Sequence, residues 1–226
     1  MPDAQTTYEL RLACDQPGCP VCTLVRRAGA RYVESIFNES MLDPDVRRKL
    51  AESLGFCYDH TWRSIDLKLS DALGHAILYQ DLVENVLQTI TGNERNPGGQ
   101  LADALDPGVA CPACRIEQAA QERALSSLAA GLRETDFVSD FRHSSGLCLP
   151  HLRQLLPSLD QKRQMLVLDH QRQELESLKG ELAEFIRKND YRFRDEVIGK
   201  EGDSYRRAAE MLKGKQPPAN TKDLFP

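Results

Sequence analysis

CPVC at positions 19–22 and GFCYDH at 55–60 return as CPAC at 111–114 and GLCLPH at 146–151. The same two phrases occur twice, in the same order. Cys19 and Cys22 recur as Cys111 and Cys114, 92 residues on, and Cys57 and His60 recur as Cys148 and His151, 91 residues on. Pro20 with Pro112, Arg31 with Arg123, Ile36 with Leu128 and Gly55 with Gly146 agree in nearly the same register. Four ligand-type residues repeated in step point to an internal duplication, with a period too long for a solenoid.

The chemistry follows from the spacing. The halves read C-x2-C-x34-C-x2-H and C-x2-C-x33-C-x2-H. A C-x-x-C turn aims two sulfurs at one ion, and C-x-x-H adds a sulfur and a nitrogen, giving a tetrahedral Cys3His set that suits Zn2+. CPxC belongs at the start of a helix, where proline lacks only an N–H that has no helical partner and the helix dipole favours thiolates. GxCxxH belongs just past the end of the next helix. The expected architecture is therefore a helical hairpin clamped at its base by metal, twice over. Cys19, Cys22, Cys57 and His60 would form the first site, and Cys111, Cys114, Cys148 and His151 the second. Four protein ligands close a zinc site, whereas a catalytic zinc keeps a position for water, so two structural zinc ions are expected and an enzyme is disfavoured.

Other chemistries fit less well. Cys14, Cys19 and Cys22 give C-x4-C-x2-C, the opening of a plant-type ferredoxin pattern, but Asp106 stands where the second half would repeat Cys14. An iron–sulfur cluster, or zinc thiolates that oxidise, remains the alternative. CPxC is also the glutaredoxin phrase, yet no βαβ pattern surrounds it. Haem attachment needs C-x-x-C-H, and Thr23 and Arg115 occupy the last position.

The chain has 226 residues, 41% hydrophobic and 28% charged, with a net charge of -5. That composition supports a folded core and argues against a nucleic-acid binder, which would carry a basic face. No run approaches the roughly 18 apolar residues of a membrane span. MPDAQTTYEL (1–10) lacks the features of a secretory leader, and seven cysteines suit a reducing compartment, so the expected location is the cytoplasm.

The expected class is all-α. Val21, Leu24, Val25, Ala28, Tyr32, Val33, Ile36 and Phe37 follow a helical period after CPVC. Asp43-Pro44 starts a helix lined by Val46, Leu50 and Leu54 and ended by Gly55. Ser70 or Asp71 starts another, with Leu73, Ala76, Ile77, Val83, Val86, Leu87 and Ile90 as its buried face. A long helix is expected over 160–189, where Leu168, Leu175 and Leu182 repeat at seven with Leu178 and Phe185 between them. The repeat reads as a short helix-pairing seam, for which core packing is the simpler explanation. A last helix fits 203–213. The organisation read from this is a first metal-binding repeat (1–92), a linker (93–100), a second repeat (101–190), a C-terminal turn and helix (191–213) and a tail (214–226), the repeats packing as one unit.

His75, His143 and His170 have no repeat partners and read as ordinary histidines, and Cys14 as a lone thiol. Tyr58 and Asp59 differ from Leu149 and Pro150 inside the C-x-x-H phrases, which predicts unequal surroundings for the two sites. The segment 184–207 interleaves Arg187, Lys188, Arg192 and Arg194 with Phe185, Tyr191 and Phe193, but its acidic residues offset the charge, and a packed helix end is expected.

With CPVC, GFCYDH, CPAC, GLCLPH and EFIRKNDYRFRDE (184–196) in view, the chain resembles a bacterial family of uncharacterised proteins carrying the doubled CPxC…GxCxxH pattern over about residues 10–213. The resemblance implies two related halves plus a C-terminal element, and no activity. The function expected from the residues is a metal-binding scaffold with a protein partner.

Overall fold

The computed structural model describes residues 4–94, 98–193 and 195–214, and every regular element among them is helical. In chain order these are α1 (Ala4–Cys14), α2 (Pro20–Ser35), α3 (Pro44–Glu52), α4 (Tyr58–Asp66), α5 (Ala72–Gly92), α6 (Gly99–Ala104), α7 (Pro112–Gly131), α8 (Thr135–His143), α9 (Leu149–Leu155), α10 (Gln161–Lys188) and α11 (Ser204–Lys213). The centre of the expected linker (95–97), Arg194 and the tail from 215 lie outside the described residues.

Local chemistry sets the helix starts. Asp43 caps α3 by accepting from the N–H groups of Asp45 and Val46, with Pro44 in the first turn. Asp71 caps α5 through Gly74 N–H, and Asp160 caps α10 through Arg163 N–H. The end of α3 differs from expectation. The helix stops at Glu52, and Leu54 already takes the left-handed conformation (φ 49°) ahead of Gly55 (φ 86°), whose N–H returns to Leu50 C=O at 2.6 Å. Gly146 (φ 74°) holds the equivalent place before Cys148.

The described chain forms two compact units that cut across the sequence halves: residues 4–25 with 120–214, and residues 26–119. The core of the first contains Leu10, Val21, Leu128, Phe137, Phe141, Leu155 and Val167. That of the second contains Val33, Phe37, Leu50, Phe56, Leu78 and Leu82. Helix lengths account for this exchange. Including the π-helical turn Ile36–Ser40, α2 runs for about 30 Å, but its returning partner α3 covers about 13 Å, and α7 and α8 stand in the same ratio. Neither return helix is long enough to bring GxCxxH back to the CPxC of its own half.

Two apolar faces differ from the reading of the sequence. On α5 the buried residues are Leu78 and Leu82, while Leu73, Val83, Leu87 and Ile90 are exposed. Gln80, Asp81, Glu84, Asn85 and Gln88 mark the polar side of this helix, but its apolar side spans about half the circumference, and the core takes only the Leu78–Leu82 edge of it. On α10 the core takes Val167, His170, Gln171 and Leu178, leaving Leu168 and Leu175 exposed. The core face lies one residue, about 100°, round the helix from the leucine seam.

The segment after α10 packs as expected. Arg187 pairs with Glu184 and Glu196 and lies 4.6 Å over the Phe193 ring; Arg192 pairs with Asp190. Buried Glu201 takes Lys188 Nζ at 2.7 Å and Gly199 N–H at 2.8 Å, which hold its carboxyl down at about 2. A depressed folded value contributes stability that is complete above the ordinary carboxylate range and is lost as pH falls towards 2. Amide exchange in α11 should therefore accelerate progressively as pH is lowered from about 4.5 to 2, beyond the intrinsic change. In Glu201→Gln, protection should be weaker already at pH 6 and nearly flat over that window.

Candidate metal centres

Four helix starts carry the eight residues. Cys19 C=O accepts from Thr23 N–H and Cys111 C=O from Arg115 N–H, so each CPxC cysteine opens its helix. Cys57 and Cys148 are the capping residues of α4 and α9, both extended, and their carbonyls accept from Thr61 and Leu152. His60 and His151 follow one turn in, on the same side. Every cluster therefore sits at two helix N-termini, whose N–H groups and dipoles favour thiolate charge.

The structure brings all eight together, but in exchanged sets. Cys19 and Cys22 meet Cys148 and His151; Cys111 and Cys114 meet Cys57 and His60. The sets expected from local hairpins, Cys19–Cys22–Cys57–His60 and Cys111–Cys114–Cys148–His151, do not form, for the reason of helix length given above. Each unit takes its CPxC from one half of the sequence and its GxCxxH from the other.

The donors fit a single tetrahedral ion. Bonds of zinc length imply S···S edges of roughly 3.8 Å and S···N edges of roughly 3.5 Å. In the first cluster His151 Nδ1 lies 3.5 Å from Cys19 Sγ, 3.5 Å from Cys22 Sγ and 3.1 Å from Cys148 Sγ, with Cys22 and Cys148 sulfurs 3.7 Å apart. In the second, His60 Nδ1 lies 3.2 Å from Cys57 Sγ, 3.5 Å from Cys114 Sγ and 3.8 Å from Cys111 Sγ, with Cys57 and Cys114 sulfurs 3.5 Å apart. Both sets can hold a metal ion, with Nδ1 as the nitrogen ligand in each.

The remaining nitrogen of each imidazole separates the two sites. His151 Nε2 lies 2.9 Å from Gln121 Oε1, and Gln121 Nε2 donates to Gln154 Oε1 at 2.9 Å. An acceptor at Nε2 keeps the proton there and leaves Nδ1 free for metal. At the other site His60 Nε2 lies 3.2 Å from Glu117 Oε1, an electrostatic contact off the hydrogen-bond axis, and Arg63 donates to the same oxygen at 3.0 Å. Burial opposes ionisation of Glu117, yet His60 and Arg63 hold its carboxyl below the ordinary range. In the repeat register Gln154 answers to Arg63 and Gln121 to Gly29. A neutral amide relay thus backs one site, and an ionic relay backs the other.

Gly29 is what admits the ionic relay. A Cβ there would lie 2.3 Å from Glu117 Oε1, so the carboxylate fills the space that the Gln121 side chain occupies in the register of the other site. Reading the sequence for ligands alone passed over Gln121, Gln154, Glu117, Arg63 and Gly29; aligning the halves on their histidines exposes the Gln154–Arg63 exchange, and aligning them on CPxC exposes the Gln121–Gly29 exchange. Tyr58 and Leu149 are exposed, so the expected inequality of the sites arises from these relays.

Accessibility differs as well. The first site is buried throughout, whereas Cys57 and Cys114 of the second are half-buried. Gly214, at the end of α11, closes the first, where a Cβ would lie 3.6 Å from Cys22 Sγ and 3.9 Å from Cys148 Sγ. Cys14 is in neither cluster; burial, with Asp140 and Asp15 nearby, pushes its thiol up to about 12. His75 is held by Ser64 and the Asp71 carbonyl, His143 contacts the Ser139 carbonyl, and His170 the Ser144 carbonyl.

One family model matches most of the chain. A family of unknown function, DUF6062, matches residues 11–100 and 132–219. The chain belongs to this family. The DUF6062 matches take in six of the eight cluster residues, all but Cys111 and Cys114. No curated protein and no solved structure matches the chain.

Gly29→Ala should weaken metal at the Cys57–His60–Cys111–Cys114 site by roughly 10–100-fold, the usual effect of losing a partner behind a ligand. Binding at the other site should be unchanged. Chelator competition for bound Co2+ measures both. Since alanine otherwise favours a helix interior by about 1 kcal/mol, a loss at one site alone reports the displaced Glu117.

Proposed function

We propose that the protein is a non-enzymatic scaffold whose two units are each held by one structural zinc ion and which binds a protein partner. The observation that carries this reading is the closed donor set. Three sulfurs and one nitrogen from the chain occupy all four corners, which leaves no position for a catalytic water. Three thiolates and a neutral imidazole suit zinc. The single tetrahedron disfavours an iron–sulfur cluster, in which bridging sulfide separates the irons and the protein ligands are shared between them.

Exposed apolar surface supports a protein partner. Tyr58, Trp62 and Ile65 line one side of α4, and the two rings meet edge-on at 6.4 Å between centroids. Aromatic residues of this kind dominate protein interfaces. The cations of the 187–192 segment are engaged by carboxylates, which counts against nucleic acid. Among the described residues no helix is long and apolar enough to cross a membrane. Seven cysteines without a disulfide favour a reducing compartment, the cytoplasm.

A second reading rests on the half-buried sulfurs of Cys57 and Cys114, which an oxidant reaches more readily than those of the sealed site. In that reading oxidation of these thiolates releases metal from one unit only.

Elemental analysis of protein purified without oxygen should give two zinc per chain and no visible absorbance. Cys148→Ala should lower this to one, with hydrogen exchange rising in residues 4–25 and 120–214 and unchanged elsewhere. Iron with a visible band would overturn the zinc assignment. Loss of one zinc to mild peroxide, with Cys57 and Cys114 oxidised, would favour the redox reading over the scaffold.

A further inference from the structure

The leucine seam of α10 is left over when the core is complete. Met165 (59% exposed), Leu168 (45%), Leu175 (42%) and Ile186 (70%), with half-buried Leu182, form a stripe with alternating spacings of three and four. Arg172 and Lys179 complete the spacing, so the series 165, 168, 172, 175, 179, 182, 186 is an unbroken two-position heptad seam over roughly 30 Å. A core helix needs one apolar stripe, and the core of this unit already uses Val167, His170, Gln171 and Leu178.

The charges along the seam form a repeat of their own. The sequence reads Leu168-Asp169, Arg172, then Leu175-Glu176, Lys179. An acid follows each leucine, and a base stands three residues after each acid. Parallel pairing in register would set Arg172 against Arg172 and Lys179 against Lys179 in the centre of the contact. Antiparallel pairing about a point between Gln173 and Glu174 sets Met165 on Leu182 and Arg172 on Leu175. It also brings Arg172 beside Glu176 and Lys179 beside Asp169 of the other helix, and the two-fold makes each of these contacts occur twice. The aliphatic stems of Arg172 and Lys179 then cover leucine while their charged ends reach carboxylates at the edge. The Asp169–Arg172 pair within the helix, 3.1 Å apart and well exposed, is weak enough to exchange.

We propose that this face binds a second copy of the chain, α10 against α10, antiparallel about a two-fold axis at Gln173–Glu174. Self-complementary charge selects a second copy over an unrelated helix. About three heptads is near the lower limit for a helix pair, so the dimer forms with rising concentration.

Sedimentation equilibrium of the full metal-loaded chain tests this. The expected result is a mass rising from 25.4 kDa towards twice that value over a micromolar-to-hundreds-of-micromolar range. Leu168→Asp with Leu175→Asp should hold the mass at one chain, with helicity and metal content unchanged because both side chains lie outside the core. Arg172→Glu alone and Glu176→Arg alone should each weaken association at least tenfold, and the two together should restore it. A single-chain mass at all concentrations overturns the proposal, as does a dimer indifferent to the leucine pair. Failure of the double charge exchange to restore association overturns the antiparallel geometry.

Discussion

Each unit is organised around three sulfurs and one imidazole nitrogen that converge on a point within the fold. Thiol-to-imidazole contacts of 3.1 to 3.8 Å link these groups, but a thiol is a weak hydrogen-bond donor, so a cation among them would stabilise the convergence further. The convergence also joins segments far apart in sequence: Cys22 reaches Cys148 across 126 positions, and Cys57 reaches Cys114 across 57. Closing loops of that length is entropically unfavourable, and an ion that binds only the assembled set would supply the compensation. Helix starts and left-handed glycines place the donors, but the proposed ion holds those placements together.

The donors were legible in the sequence, whereas their grouping was not. Residue type and spacing single out the eight residues that the two clusters bring together, because C-x-x-C and C-x-x-H have few other uses when they recur in step. The cap at Asp43 was equally plain, being local chemistry, while Asp71 had Ser70 as a rival and Asp160 marked a start only approximately. Grouping depends on where the chain goes between motifs. The short interval from Cys22 to Cys57 favours a local hairpin, and only the unequal lengths of α2 and α3 exclude it. Periodicity failed where a helix offered more apolar surface than the core takes: α5 has one broad apolar side of which the core uses an edge, and α10 offered two stripes about 100° apart. A hydrophobic stripe records that something covers it, without saying whether the cover comes from the same chain.

The two sites share ligands and helix starts, and their difference lies one step further out. At positions matched by the repeat, Gln154 faces Arg63 and Gln121 faces Gly29. Removing a side chain at position 29 and supplying a carboxylate at 117 are linked, because a Cβ at 29 and the carboxylate cannot occupy the same space. A carboxylate behind an imidazole raises its basicity as a ligand, while a neutral amide fixes its tautomer and adds no charge. Conversion of one arrangement to the other therefore requires several positions to change together, which is a physical reason for the pair to remain distinct once separated.

Burial sharpens that distinction. Gly214, at the end of α11, lies against two sulfurs of the first site. That helix is anchored through Glu201 to Lys188 and through Arg207 to Glu181. At the second site Cys57 and Cys114 are half-buried. Local opening is governed by the weakest cooperative element over a site, so an ion at the buried site would exchange more slowly than one at the half-buried site. Two closed tetrahedra in one chain are thus unequal as devices. The sealed one suits permanent structure, and any response of this protein to oxidants or metal supply would begin at Cys57 and Cys114.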